Sequence, residues 1–159
     1  MNARGDNLLF WGLLAAILFT GGAAVVSYLG GRGIRNNNPG NIRLSGTTWQ
    51  GQVPPAEQTD DEFVQFTDPK YGIRAMARIL NNYALRGLNT IREVISTWAP
   101  PSENNTESYI HAVAQRLNLS PDSIIVDSAK PALIAAIIQH ENGSQPYPVE
   151  LIKQGISLA

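Results

Sequence analysis

The sequence predicts a mainly α (α+β) fold: a helical domain with a small β or irregular lobe at its start, preceded by one N-terminal transmembrane helix. Three observations lead to this prediction. Residues 8–29 contain no charged side chain, residues 36–66 combine turn residues with short apolar stretches, and from residue 68 onward apolar residues recur with the period of an α-helix. We therefore divide the chain into an N-terminal segment, residues 1–31, and a domain, residues 32–159.

Composition and charge limit what this domain can be. The chain has 159 residues, of which 43% are hydrophobic and 16% charged, enough to form one packed core. Its formal net charge is -1 and it has no polybasic stretch, so nucleic acid is not an expected partner. The absence of cysteine excludes disulfides and thiolate chemistry. With only two histidines, a multi-histidine metal site is not expected, and we expect no cofactor.

The N-terminal apolar segment predicts membrane insertion. As a helix rising about 1.5 Å per residue, residues 8–29 would extend roughly 33 Å, enough to cross the hydrocarbon core of a bilayer. Three interpretations stay open: a permanent anchor, a cleaved signal peptide, and a signal-anchor that later leaves the membrane. Counting basic residues alone would keep residues 32–159 in the cytoplasm.

The start of the domain predicts turns and short extended stretches. Residues 36–41, Asn-Asn-Asn-Pro-Gly-Asn, form a dense turn cluster. Extended pieces are expected over residues 42–44, 49–53 and 63–66, and two consecutive prolines interrupt them. These pieces predict at most a small sheet.

Helical periodicity governs the rest of the chain. A helix is expected after Pro69, a second over residues 91–98 with a capping box formed by Thr90 and Glu93, and a third over residues 106–117. Their predicted core positions are Ile73, Met76, Ala77, Leu80, Ile91, Val94, Ile95, Trp98, Ile110, Val113, Ala114 and Leu117. The tail, residues 149–158, is expected to form one more short helix.

The last long helix, expected over residues 129–141, carries the most informative residue of the chain. Glu141 lies on the same face as Ile134, Ile137 and Ile138 and closes this apolar stripe just before Gly143, which ends the helix. A carboxylate in such a position is partly removed from water, which favours its protonated form and suits a general acid. The alternative is that fraying of the helix end exposes Glu141 to solvent, where the helix dipole also disfavours its charge.

Further carboxylates and polar side chains are candidates for the same site. Asp60, Asp61 and Glu62 precede an alternating stretch, and any of them could act opposite a general acid, as glycosidic cleavage requires, or simply form a solvated turn. Glu103 lies in a loop at a helix start, where capping accounts for it. Side chains that could hydrogen-bond to sugars or stack on them are Asn38, Asn41, Trp49, Tyr71, Tyr109 and Tyr147.

Three stretches, residues 33–43, 66–75 and 98–106, resemble a phage-encoded family. Its members occur as virion or lysis proteins and are regarded as lysozyme-like enzymes that degrade murein. The resemblance covers roughly residues 33–155 and implies a lysozyme-like domain whose partner is bacterial peptidoglycan.

The segment His140-Glu141-Asn142-Gly143, with Tyr147, resembles the phage lysozyme pattern in which a catalytic glutamate ends a helix. The resemblance implies that Glu141 is the general acid. Phage lysozymes place this helix near the start of the domain, whereas here it comes last. Either the fold is circularly permuted, or the helix corresponds to a late helix of lytic transglycosylases, with residues 139–143 lining the cleft. In the second case the acid comes from Asp60, Asp61, Glu62 or Glu103.

The resulting prediction is an enzyme that cleaves the glycan strand of peptidoglycan, a muramidase or lytic transglycosylase used in host cell lysis or cell-wall penetration. The predicted catalytic residues are Glu141, Asp61 and Glu62. The predicted substrate-binding residues are Asn38, Asn41, Tyr71, Glu103 and Tyr147.

The expected location follows from a second resemblance. The weakly hydrophobic N-terminal segment resembles the signal-arrest-release segment of endolysins, which tethers the enzyme to the inner membrane until that membrane is depolarised. This implies contact with the host inner membrane through residues 8–29 and a catalytic domain in the periplasm, with its release from the membrane left open; a virion-associated location is the alternative. The competing function is a membrane-anchored virion structural or murein-binding protein without catalysis.

Overall fold

The computed structural model describes residues 30–102 and 104–159, which fold into six α-helices. A short 3₁₀ helix, Asp127–Ala129, precedes the fifth of them, and residues 36–68 form an irregular lobe ahead of the second. The helices are α1 (Arg32–Arg35), α2 (Pro69–Leu85), α3 (Ile91–Trp98), α4 (Thr106–Leu117), α5 (Lys130–Asn142) and α6 (Val149–Ser157). The helices predicted from periodicity are all confirmed, whereas the short helix α1 was not predicted.

Local signals in the sequence set several helix ends. Thr90 and Glu93 form the predicted capping box at the start of α3. Helix α4 is followed by Asn118 with φ 52° and α5 by Gly143 with φ 69°. Both residues adopt the left-handed conformation that commonly terminates helices. The helix boundaries were therefore largely readable from neighbouring residues.

Helix α5 lies at the centre of the core. It packs against α1, α2, α4 and α6, and its buried residues 133, 134 and 136–138 point in several directions around its axis. It is therefore enclosed on more than one side. The other helices surround it with buried apolar side chains, among them Ile73, Met76, Leu80, Ile91, Ile95, Ile110, Val113 and Ile152.

The described residues contain no β-strand, so the β part of the α+β prediction is wrong. Two isolated antiparallel bridges are present in the lobe, one between Arg43 and Phe63 and one between Gln52 and Phe66. The predicted extended stretches thus meet at single positions and do not form a ladder. A small separate apolar cluster of Val64, Phe66 and Ala75 packs the lobe against α2.

The side chain of Asn38 explains why the pairing stops. It is fully buried, and its Nδ2 donates to the backbone oxygens of Ile42 at 2.9 Å and Val64 at 2.8 Å. Its Oδ1 accepts from the backbone nitrogen of Ile42 at 3.0 Å. The amide therefore stands between the backbone nitrogen of Ile42 and the backbone oxygen of Val64, which a strand ladder would pair with each other, while the Val64 nitrogen still donates to the Ile42 oxygen at 3.0 Å.

The predicted N-terminal transmembrane helix is not supported. Within residues 30–102 and 104–159, no helix is both long enough and apolar enough to cross a membrane. Helix α2, for example, has 17 residues and carries basic side chains along its sequence, as expected for a helix that covers a core on one side only. The segment to which the prediction applied, residues 8–29, lies outside the described residues.

Gly155 sets the distance at which α6 packs on α2. A Cβ atom there would lie 2.5 Å from Cγ2 of Ile73 and 3.0 Å from the backbone oxygen of Lys70. Gly155→Ala should lower the free energy of unfolding by about 1–3 kcal/mol, outweighing the gain of up to about 1 kcal/mol in helix propensity. Urea denaturation measures the difference.

Gly46→Ala is the matched control, because a Cβ atom at Gly46 has nothing within 4 Å. Its effect should stay within about 0.5 kcal/mol. Equal stability of the two variants would mean that the contact between α6 and α2 relaxes without cost.

Candidate functional site

Three hydrogen-bond donors converge on the carboxylate of Glu141 in the last turn of α5. Trp98 Nε1 donates to Oε1 at 3.1 Å, and the hydroxyl of Tyr109 donates to the same oxygen at 2.9 Å. Asn41 Nδ2 donates to Oε2 at 3.0 Å. The side chain is held in a half-buried position, so the end of the helix does not release it to solvent.

The distribution of donors leaves one part of the Glu141 carboxylate open. A carboxylate has about four lone-pair directions, two on each oxygen. Oε1 accepts two hydrogen bonds, whereas Oε2 accepts one from a side chain, so Oε2 keeps a direction in which it can exchange a proton with another molecule. The donors also offset the unfavourable position of a negative charge at a helix C-terminus.

The hydroxyl of Tyr109 keeps its proton and so remains a hydrogen-bond donor to Glu141. It is buried, and burial together with the Glu141 carboxylate raises the pKa of Tyr109 well above its ordinary value. The Tyr109 ring stacks on His140 with a centroid separation of 3.5 Å and an interplanar angle of 12°. Partial burial lowers the pKa of His140, against an opposing effect of Glu141, so its imidazole stacks as a neutral ring near pH 7.

The lobe and the end of α5 are joined on both sides of Glu141. Asn41 reaches the carboxylate from a left-handed backbone position, φ 47°, which asparagine tolerates. Asn142 Nδ2 donates to the backbone oxygen of Pro39 at 2.8 Å. A Cβ atom at Gly33 would lie 2.5 Å and 2.6 Å from the side-chain oxygens of these two asparagines, so glycine is required for α1 to approach.

A pocket of about 410 Å³ opens beside Glu141. This volume lies within the range of small-molecule sites, roughly 300–1,000 Å³. Residues of the lobe, α2, α3, the loop after α3 and the last turn of α5 line it. The lining combines aromatic rings and amides with two charged groups, and its main side chains are Asn41, Arg43, Phe63, Tyr83, Trp98, Asn104 and Glu141.

Asp60 is a structural residue of the lobe. Its side chain is only 9% exposed and accepts hydrogen bonds from Arg32 Nε at 2.7 Å, Asn36 Nδ2 at 2.7 Å and the backbone nitrogen of Phe63 at 2.9 Å. The Arg32 guanidinium holds the pKa of Asp60 well below its usual range, with smaller contributions from the other donors. Asp60 is therefore ionised, and its carboxylate is bound by donors within the lobe and by Arg32.

Asp61 and Glu62, the predicted catalytic partners of Glu141, are not among the residues that line the pocket. The Asp61 side chain is 98% exposed and lies 3.6 Å from Arg32. Glu62 accepts a hydrogen bond from Arg32 Nη1 at 2.6 Å and lies 3.6 Å from Nη1 of Arg43. Glu62 therefore contacts a residue that lines the pocket, Arg43, whereas Asp61 forms no ion pair with it.

The predicted substrate-binding residues lie in different places. Asn41 lies in the site, and Asn38 lies inside the lobe. Tyr71 packs against the small apolar cluster of the lobe. Tyr147 is buried in the main core, which raises its pKa to about 12, and its hydroxyl has no hydrogen-bond partner among the described residues. Glu103 lies outside the described residues.

The sequence did not identify Trp98 and Tyr109 as hydrogen-bond donors to the Glu141 carboxylate. It assigned Trp98 to the apolar face of α3 and Tyr109 to sugar binding. A signal was present, because the polar atom of a largely buried tryptophan or tyrosine usually finds a hydrogen-bond partner. In the described part of the chain, no group of three or more histidine, aspartate or glutamate side chains is arranged to hold a metal ion.

The fold and site define a class: a small helical protein with a carboxylate-centred pocket between an irregular lobe and a helical core. No family model matches the chain. It is 44% identical over 128 residues to Protein P5 of Pseudoalteromonas phage PM2, an alignment that covers 78% of this chain and 79% of the relative. The chain therefore belongs to the family of this phage protein.

The hydrogen bond from Tyr109 to Glu141 should contribute to stability. Tyr109→Phe removes the donor and should lower the free energy of unfolding by about 1.5 kcal/mol, as expected for a bond to a charged group. Tyr147→Phe is the matched control, because it removes a buried hydroxyl without a partner in the described residues and should leave stability unchanged or raise it. Urea denaturation of both variants tests this, and an equal loss in both would contradict it.

The Asp60 contacts predict a pH dependence of stability. The pKa of Asp60 is lower in the folded protein than its ordinary value of 3.8. The ionised Asp60 therefore stabilises the folded protein above about pH 3.8, and this stabilisation is lost as the pH falls toward the lowered pKa. The free energy of unfolding should therefore fall below about pH 4, and less steeply in Asp60→Asn. Urea denaturation at several pH values gives these slopes. Asp61→Asn, at the exposed neighbour, should keep the wild-type slope, and a wild-type slope in Asp60→Asn would contradict the assignment.

Proposed function

We propose that this chain is a phage enzyme that cleaves the glycan strand of peptidoglycan at the β-1,4 bond between N-acetylmuramic acid and N-acetylglucosamine. The observation that carries the proposal is the placement of Glu141, a carboxylate fixed by three donors and open at Oε2, in the wall of a pocket. Aromatic rings and amides in the lining suit a sugar, which presents apolar ring faces and hydroxyl groups. The sequence resemblance to murein-degrading proteins supports this assignment, and the relative supports only its phage setting.

In the proposed reaction, Glu141 first acts as an acid. Its protonated Oε2 donates to the glycosidic oxygen while the bond from that oxygen to C1 of N-acetylmuramic acid breaks. The proton leaves on the N-acetylglucosamine hydroxyl, and the remaining carboxylate is stabilised by Asn41, Trp98 and Tyr109.

Glu141 can then act as the base that completes the reaction. If the muramyl 6-hydroxyl attacks C1 and gives its proton to Glu141, the product is a 1,6-anhydro sugar. If water attacks C1, the product has a new reducing end. The first route needs one carboxylate, while the second commonly uses two.

The proposed substrate determines where the protein works. Peptidoglycan lies outside the host inner membrane, so the enzyme acts in the periplasm, either from within during lysis or from a virion during entry. Both settings fit a member of a family that includes a phage protein.

Glu141→Gln should abolish cleavage, because the amide cannot donate the required proton while it keeps the shape of the side chain. General acid catalysis contributes on the order of 10²–10⁴-fold to rate, so a loss of at least about 100-fold is expected. The measurement is the release of soluble fragments from purified murein sacculi, with mass spectrometry to distinguish anhydro from reducing products.

Glu150→Gln is the control, since this exposed glutamate of α6 lies outside the pocket lining and pairs with Lys153. It should cleave at the wild-type rate. Full activity in Glu141→Gln would remove Glu141 from the mechanism, and sacculus binding without cleavage by the unaltered chain would reject an enzymatic function.

A further inference from the structure

Arg43 is a cation in a pocket that otherwise carries the negative charge of Glu141. Among the described residues that line the pocket, Arg43 and Glu141 are the two with charged side chains. The Arg43 side chain is 62% exposed and is therefore accessible to a ligand. An uncharged sugar polymer gives no reason for a cation at this position.

The guanidinium of Arg43 is oriented by an aromatic ring. Its central carbon lies 5.1 Å from the centroid of Phe63, and that of Arg32 lies 4.6 Å from the same centroid. Phe63 itself lines the pocket. Stacking on an aromatic ring reduces the freedom of an arginine side chain and keeps its planar N–H groups available at the edge.

The two arginines beside Phe63 differ in the partners of their guanidinium groups. Arg32 donates to both carboxylate oxygens of Asp60, at 2.7 Å and 2.8 Å, and to Glu62 at 2.6 Å. Arg43 forms one ion pair among the described residues, a long contact of 3.6 Å with Glu62, whose carboxylate is already bound by Arg32. Since a guanidinium has five N–H donors, Arg43 keeps most of its capacity for an incoming anion.

We propose that Arg43 binds a carboxylate of the stem peptide attached to N-acetylmuramic acid, so that the pocket selects peptide-bearing glycan over uncharged N-acetylglucosamine polymers. The inference rests on the proposed function and adds substrate selection to the same site. A carboxylate is the planar anion that a guanidinium binds with two parallel hydrogen bonds. Arg43 is thus a binding residue for a substituent of the sugar, separate from the proton transfer at Glu141.

The test compares three glycans of equal ring number: strands bearing stem peptides, strands whose peptides an amidase has removed to leave the lactyl carboxylate, and chitin oligomers with no carboxylate. Arg43→Gln should raise KM for the peptide-bearing strand about tenfold, the effect expected for a partly exposed charged contact. Its kcat on this strand, and its cleavage of chitin oligomers relative to wild type, should not change. Arg43→Lys should restore part of the loss, because lysine keeps the charge without the planar fork.

Lys153→Gln is the charge-matched control, since this exposed lysine of α6 lies outside the pocket lining. It should match wild type on all three glycans. The proposal is overturned if Arg43→Gln impairs all three glycans equally, if it impairs none of them, or if it impairs only the peptide-free strand, which would assign Arg43 to the lactyl group.

Binding measurements separate this proposal from the proposed function. Calorimetry with the same glycans should give about tenfold weaker binding of the peptide-bearing strand to the Glu141→Gln, Arg43→Gln double variant than to Glu141→Gln alone. If the unaltered chain cleaves none of the glycans, the proposed function fails while this affinity difference still supports Arg43 as the peptide contact. Equal affinities of the two variants overturn the Arg43 assignment, whatever the activity.

Discussion

The burial of α5 is the constraint on which the rest of the structure depends. Its isoleucines at 134, 137 and 138 are fully buried, and each side chain of this kind contributes roughly 1.5–3 kcal/mol when removed from water. A helix enclosed on several sides requires other helices around it, and α1, α2, α4 and α6 pack against it. Its C-terminal turn must leave the core to reach the lobe, and Glu141 lies at that point of exit.

The lobe is held together by side-chain amides as well as by backbone pairing at its two bridges. Asn38 occupies the backbone groups of its neighbours, Asn36 binds Asp60, and Asn37 Nδ2 donates to the backbone oxygen of Phe66 at 2.9 Å. Three consecutive asparagines thus supply an internal framework of side-chain bonds beside these bridges. Such a framework is specific, because each amide must find its own partner, whereas a strand ladder repeats one pattern.

The sequence predicted those features that neighbouring residues determine. The capping box of Thr90 and Glu93, the end of α5 at Gly143, and the common face of Glu141 with the isoleucines follow from spacing within one or two helical turns. The partners of Glu141 could not be read in this way, because Asn41, Tyr109 and Trp98 are 100, 32 and 43 residues away along the chain. The strands predicted in the lobe were wrong for a related reason, since β-propensity does not reveal that a side-chain amide will take the place of a pairing strand.

The three donors to Glu141 come from three separate parts of the fold: the lobe, the end of α3 and the first turn of α4. Each part reaches the carboxylate only when its own packing is in place: α4 packs on α5, and α3 packs on α4. A partly unfolded form that has lost the lobe, α3 or α4 therefore retains an incomplete set of donors. Assembly of the site therefore requires the lobe, α3 and α4 together, so the geometry of this one carboxylate reports whether these three parts are in their native positions.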